Sequence, residues 1–220
     1  MQPVYAAVGL GLVWGNLRDW EVCVPWPMIL ELCMCDRPVP IPIDSANCLE
    51  SHRIPDAVVV RRFMTGDSME ALTELLHRAY QPQMAMGLEP LAGRQDLKTT
   101  LSRVLNSECF LAFLQTRIVG VILLNEFEQV TIPAYFKQPG VASFSMFGVE
   151  VGMQGIGIGG QMLERCQSRS RELGYTHLAL SMAEPDTLLR AYYERRGYAF
   201  VEHWQWPYTN YRSCILSKRL

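Results

Sequence analysis

The stretch Gln154-Gly155-Ile156-Gly157-Ile158-Gly159-Gly160 is more than half glycine. It contains G-x-G-x-x-G at Gly155, Gly157 and Gly160. Glycine lets a phosphate come close to backbone N–H groups. The first turn of a helix offers such groups unpaired, with a partial positive charge. The chemistry on offer is anion binding. The competing reading is a tight strand-to-helix turn, because one such motif alone is weak. A nicotinamide site does not fit. It opens a run of β-α-β units and needs an acid about 20 residues on. Only 60 residues follow Gly160, and residues 175–181 contain no Asp or Glu. A P-loop needs G-K-[ST] after its glycines, and that is missing.

Cysteine is the second chemically capable residue type. There are seven, an odd number, and Cys23, Cys33, Cys35 and Cys48 lie in the first 48 residues. They form no C-x-x-C pair, and the one nearby histidine is His52. That spacing argues against a zinc centre, so no metal is expected. A reducing, cytoplasmic setting is the simplest reading of unpaired thiols. The apolar start, VYAAVGLGLVW, has no basic residue before it and is too short to span a bilayer.

The elements that must position the glycines are legible from Ala57 onward. AVVVRRF reads as a strand. In GDSMEALTELLHRAY, Asp67 and Glu70 are expected to form a capping box, with Leu72, Leu75 and Leu76 on one helical face. RQDLKTTLSRVLN repeats the helical period. CFLAFLQTRIVGVILLNEF reads as two strands around a turn at residues 115–117, and ASFSMFGVEV as a third. GIGGQMLERCQSRSREL is a helix stopped by Gly174. YTHLALSM is a strand. PDTLLRAYYERRGY is a helix with Pro185 near its first turn and Gly197 past its end. AFVEHWQW and RSCILSKRL close as a strand pair. The order β-α-α-β-β-β-α-β-α-β-β predicts an α/β (α+β) domain. Its mixed, mostly antiparallel sheet is flanked by helices, and one β-α-β crossover carries the glycine loop.

Residues 1–56 read differently. The first 57 residues hold seven of the 13 prolines and no lysine. Prolines that frequent prevent a helix and interrupt a central strand. Residues 1–56 are therefore expected to be an extension, and residues 57–220 one domain. The net charge of −2 gives no field that would draw the chain to nucleic acid or an anionic membrane.

VEVGMQGIGIGGQML, followed later by AYYERRGY, resembles the GNAT superfamily of acyl-CoA-dependent N-acyltransferases. The family has a Val-rich strand, then [QR]-G-x-G-[IVA]-G/A, then a helix, and later an FYE-x-x-GF-like stretch. The matching residues are Val149, Gln154 to Gly159, and Tyr192-Tyr193-Glu194-Arg195-Arg196-Gly197-Tyr198. The resemblance covers about three quarters of the chain. It implies an acetyl-CoA-dependent N-acetyltransferase, with acetyl-CoA as co-substrate and a primary amine of a small molecule or protein as acceptor. The alternative it leaves is an inactive CoA-binding sensor or interaction module. A monomer or homodimer is expected.

The same resemblance implies a site. The CoA pyrophosphate would lie on the backbone of Gln154, Gly155, Ile156, Gly157, Ile158, Gly159 and Gly160. The pantetheine arm would run beside the strand ending at Val149, Glu150 and Val151. The acyl carbonyl would sit where that strand splays from YTHLALSM, with an N–H near Val149 steadying the oxyanion. Tyr193 matches the family tyrosine and would protonate the departing thiolate. Asp186 stands where many members have Asn and would touch the cofactor. For the base, Glu126 is the leading candidate, beside Glu128, Glu150 and His203. The acceptor pocket should involve QPQMAMGLEPLAG and WQWPYTN, with Met84, Met86, Trp204, Trp206 and Tyr208 as an apolar wall.

Overall fold

The computed structural model describes residues 58–125 and 132–220. The expected extension at 1–56, with its four cysteines, lies outside the described residues. So do Glu126 and Glu128. Seven strands form one sheet in the order β1-β2-β3-β4-β5-β7-β6. They are β1 (Val58–Arg62), β2 (Glu108–Leu114), β3 (Arg117–Leu124), β4 (Val141–Val149), β5 (His177–Ala183), β6 (Ala199–Trp204) and β7 (Ser213–Arg219). Only β4 and β5 pair in parallel; every other pair is antiparallel. The element order and the mixed sheet are as the sequence predicts.

Helices cover both faces. Helix α1 (Met69–Ala85) and α2 (Leu97–Leu105) pack on one side, where Leu72, Leu75, Leu76 and Val104 meet Leu111, Val121 and Leu123. Helix α3 (Ile158–Glu172) and α4 (Thr187–Glu194) pack on the other, where Ile158, Met162, Cys166 and Tyr193 meet Phe110, Val119, Leu178 and Leu216. Burial on both faces explains why CFLAFL and IVGVILL are apolar throughout instead of alternating.

Two local expectations fail at α1. Its N-cap is Ser68, whose Oγ accepts from the Ala71 N–H at 3.1 Å and donates to Glu70 at 3.0 Å. Asp67 is drawn instead to Arg61, at 2.6 and 2.8 Å, and to the Met64 N–H at 2.7 Å. A guanidinium fork outcompetes a single cap bond for a carboxylate. The helix also runs past Tyr80 to Ala85, through Pro82. Proline removes one N–H from the ladder. In this last turn that loss is offset by packing, for Met84 lies over Gly93.

Candidate active site

Strands β4 and β5 pair only from Val141↔His177 to Phe144↔Leu180. Beyond that point β5 stays with β7 up to Ala183, while β4 stays with β3 up to Val149. The centre of the sheet therefore opens. The cause lies in β4, which has one residue more than β3 between Leu123↔Ser145 and Val121↔Gly148. Met146 takes a left-handed φ of 46° in this bulge. A bulge bends its strand and re-aims it.

Backbone alternation then points a donor into the opening. The Glu150 N–H is spent on the Val119 carbonyl at 2.9 Å, on the β3 side. Successive residues of an antiparallel strand present their N–H groups to opposite edges. The Val149 N–H thus faces the edge that β5 has left. The Val149 carbonyl accepts from Gln154 Nε2 at 3.1 Å, which ties the start of the glycine loop to the strand end.

The loop needs its glycines for conformation. Gly152, Gly155 and Gly157 have φ of 84°, 82° and 97°, values that favour glycine. Gly157 is the N-cap of α3 and supplies no side-chain acceptor. The other three α-helices described are capped by Ser68, Asp96 and Asp186. The first N–H groups of α3 are left for an external acceptor.

Opening and loop share one cavity of about 760 Å³. On the loop side it is lined by Val149, Gln154, Gly155, Gly157, Gly159 and Gly160, facing Tyr192, Tyr193 and Arg196 of α4 and its C-terminal end. On the far side it is lined by Tyr80, Pro82, Arg103, Phe136, Trp206 and Tyr208. Trp206 and Tyr208 stack at 5.5 Å with 19° between their planes, and Trp206 Nε1 donates to Ser181 Oγ at 2.8 Å. Tyr193 is buried among Phe144, Tyr192 and Tyr198. Burial pushes its phenol well above the usual tyrosine range, so it stays protonated at neutral pH. Arg196 lies 3.6 Å over the Tyr192 ring and donates to the Tyr192 carbonyl at 3.0 Å.

The profile of the acetyltransferase (GNAT) family matches residues 69–198. The chain belongs to that family. It is an acetyltransferase by that family. Solved structures share the fold. A GNAT family acetyltransferase from Elizabethkingia anophelis with acetyl-CoA bound is 16% identical with a TM-score of 0.52, over 76% of this chain and 100% of that one. The PaiA N-acetyltransferase from Thermoplasma acidophilum in complex with coenzyme A is 13% identical with a TM-score of 0.58, over 74% and 99%. A ribosomal-protein-alanine N-acetyltransferase from Brucella melitensis is 18% identical with a TM-score of 0.56, over 74% and 99%. No curated protein matches.

Within this GNAT domain the residues expected from sequence divide. The cavity collects Val149, Gln154, Gly155, Gly157, Gly159, Gly160, Asp186 and Tyr193. Ile158 instead points into the core, and Ile156 packs against it. Val151 is exposed beyond the cavity. Asp186 caps α4 through the Leu189 N–H at 3.0 Å and accepts from Gln83 Nε2 at 3.0 Å. Glu150 is no part of the cavity. Arg78 and Arg117 hold its carboxylate, each at 2.8 Å, and these bonds, the one from Arg78 first, keep its pKa below the ordinary carboxylate range. His203 lies on β6 beside Glu184 at 3.1 Å, also outside the cavity. Met84, Met86 and Trp204 do not line it either; the wall is Trp206 and Tyr208. Sequence reasoning gave no role to Tyr80 and Arg103, because a single Tyr or Arg on a helix carries no spacing signal, or to Arg196, which lies in the turn after α4. Among the described residues no helix is long and apolar enough to cross a membrane.

Proposed function

We propose that this enzyme moves the acetyl group of acetyl-CoA to a primary amine by direct attack, inside the opening between β4 and β5. The observation that carries the reading is that one cavity joins the uncapped start of α3, the outward Val149 N–H and Tyr193. In this reading the pyrophosphate rests on the loop 154–160, with the Arg196 guanidinium beside it. The thioester carbonyl takes the Val149 N–H as the negative charge grows on its oxygen. The amine nitrogen bonds to the carbonyl carbon, the carbon–sulfur bond breaks, Tyr193 protonates the leaving thiolate, and the proton lost by the acylated nitrogen restores the Tyr193 phenol by way of solvent. Burial raises the phenol, and the same low-dielectric wall raises the thiolate's proton affinity.

The acceptor enters past Tyr80, Trp206 and Tyr208. Among the described lining residues the one carboxylate is Asp186, already engaged at both oxygens. Such a wall suits an amine on an apolar or aromatic body better than a polycation. The test is thiol release from acetyl-CoA across a panel of amines, with the parent and Tyr193→Phe. We expect turnover with aromatic or apolar amines. The variant should lose about 10²-fold or more in kcat while keeping the parent's melting temperature to within a few degrees. Unchanged turnover in Tyr193→Phe would remove the acid role. A preference for polyamines would remove the acceptor assignment.

A further inference from the structure

The adjoining ends of β5, β6 and β7 carry a second cluster. We propose that Glu184, His203 and Cys214 form a binding site for a thiophilic divalent cation of the zinc class. The ligand atoms of the three side chains all lie within 4.8 Å of one another. His203 Nε2 and Glu184 Oε1 are already 3.1 Å apart. The backbone explains the meeting. Cys214 of β7 is the direct partner of His203 on β6 and of Met182 on β5, and Glu184 follows Met182 by two positions. Direct partners share a face, and residues two apart on a strand return to it.

Ligands around tetrahedral zinc sit about 2.0–2.3 Å from the ion. Side chains whose ligand atoms are spread over up to 4.8 Å have to draw inward on the ion. Cys214 forms the buried floor, while His203 and Glu184 form a rim open to solvent. That leaves the fourth position for water. The surroundings already orient the rim. Arg212 holds Glu184 at 2.6 and 2.8 Å, and Phe200 lies 4.8 Å from the His203 ring. From α4, Arg190 faces the cluster paired with Glu194 at 2.8 Å. One thiolate, one imidazole and one carboxylate are the donors that suit an ion of the zinc class. Binding releases the Cys214 proton to solvent.

The site would clamp the base of the β6–β7 hairpin. The last ladder pair before the connection is Trp204↔Ser213. The connection, residues 205–212, carries Trp206 and Tyr208 to the cavity wall. Occupancy would stiffen the acceptor side without touching the acetyl donor.

The test is a Co²⁺ titration of the reduced full-length chain, read by the thiolate-to-cobalt charge-transfer band, followed by displacement with Zn²⁺. His203→Ala truncates a partly exposed side chain on the edge strand β6, outside the buried core, and it is the deciding variant. We expect the band in the parent, at least about tenfold weaker cobalt binding in His203→Ala, and no band in Cys214→Ser. A zinc-induced rise in melting temperature should likewise disappear in His203→Ala. Absence of a band in the parent overturns the site. So does unchanged cobalt affinity in His203→Ala, which would place the metal on other cysteines.

Discussion

At the residue scale the unsolved demand is a proton. An alkylamine has a reference pKa near ~10.4, so at neutral pH it reaches the cavity as an ammonium ion and cannot attack. Asp186 is badly placed to relieve it, because capping α4 and bridging to Gln83 use both its oxygens. Glu150 is locked between two arginines. We propose Glu126 for the role, the residue that follows Asn125 in the sequence. Glu126→Gln should lower kcat/KM at pH 7 by about 10²-fold. The deficit should shrink as pH rises toward the pKa of the amine, since free amine then no longer needs a base. Pairs of pH–rate profiles for parent and variant check this. A deficit that stays constant with pH would make Glu126 a binding residue instead.

At the element scale the site depends on what α3 lacks. Its cap, Gly157, offers no side chain, and a φ of 97° holds the turn in a conformation costly to any other residue. Gly157→Ala should lose about 1–2 kcal/mol of stability from the left-handed backbone, and its new Cβ would crowd the anion position. The expected result is a KM for acetyl-CoA raised about tenfold, with kcat largely kept. Gly174→Ala, at the far end of the same helix with a φ of 84°, is the control. It should cost similar stability and leave KM alone. A raised KM in both would mean that a loosened helix, not a filled cradle, is responsible. The contrast also says what the sequence could carry. Glycines required by backbone shape leave a mark in composition, so the loop was legible. The bulge at Met146 leaves none, because methionine there is held by its neighbours and not by its own preference. The cap of α1 misled for a related reason. Asp67 and Ser68 are adjacent and both competent, and Arg61, on another element, decides between them.

At the scale of the whole molecule the opening in the sheet has to be held by something other than β4–β5 pairing. Glu150 supplies one tie, just past the end of β4. Its carboxylate joins Arg78 on α1 to Arg117 at the start of β3. Periodicity could place each element, but not this meeting of residues 33 and 72 positions apart. The bonds to Arg78, then those to Arg117, hold the Glu150 carboxyl below its ordinary range. Asp67 is held low in the same way by Arg61. A carboxyl with a lowered folded pKa stabilises the fold fully above its unfolded value, about 4.3 for Glu and 3.9 for Asp. That contribution fades as pH falls through the folded value. The chain should therefore be near full stability at pH 7 and weaken progressively below about pH 4. Glu150→Gln isolates one share of that loss. Arg78 and Arg117 are 44% and 63% exposed, so water screens the pairs and keeps the cost at pH 7 to about 1–2 kcal/mol. For a chain of this size that is a fall of roughly 3–8 °C in melting temperature. At pH 3, below the unfolded value of about 4.3, the unfolded parent takes up the proton, and the gap between the two melts should narrow. Thermal melts of both proteins at pH 7 and pH 3 measure it. A gap that is the same at both values would show that Glu150 contributes by filling space, and what holds β4 on its side of the opening would have to be sought in the packing of α1 against Gly148.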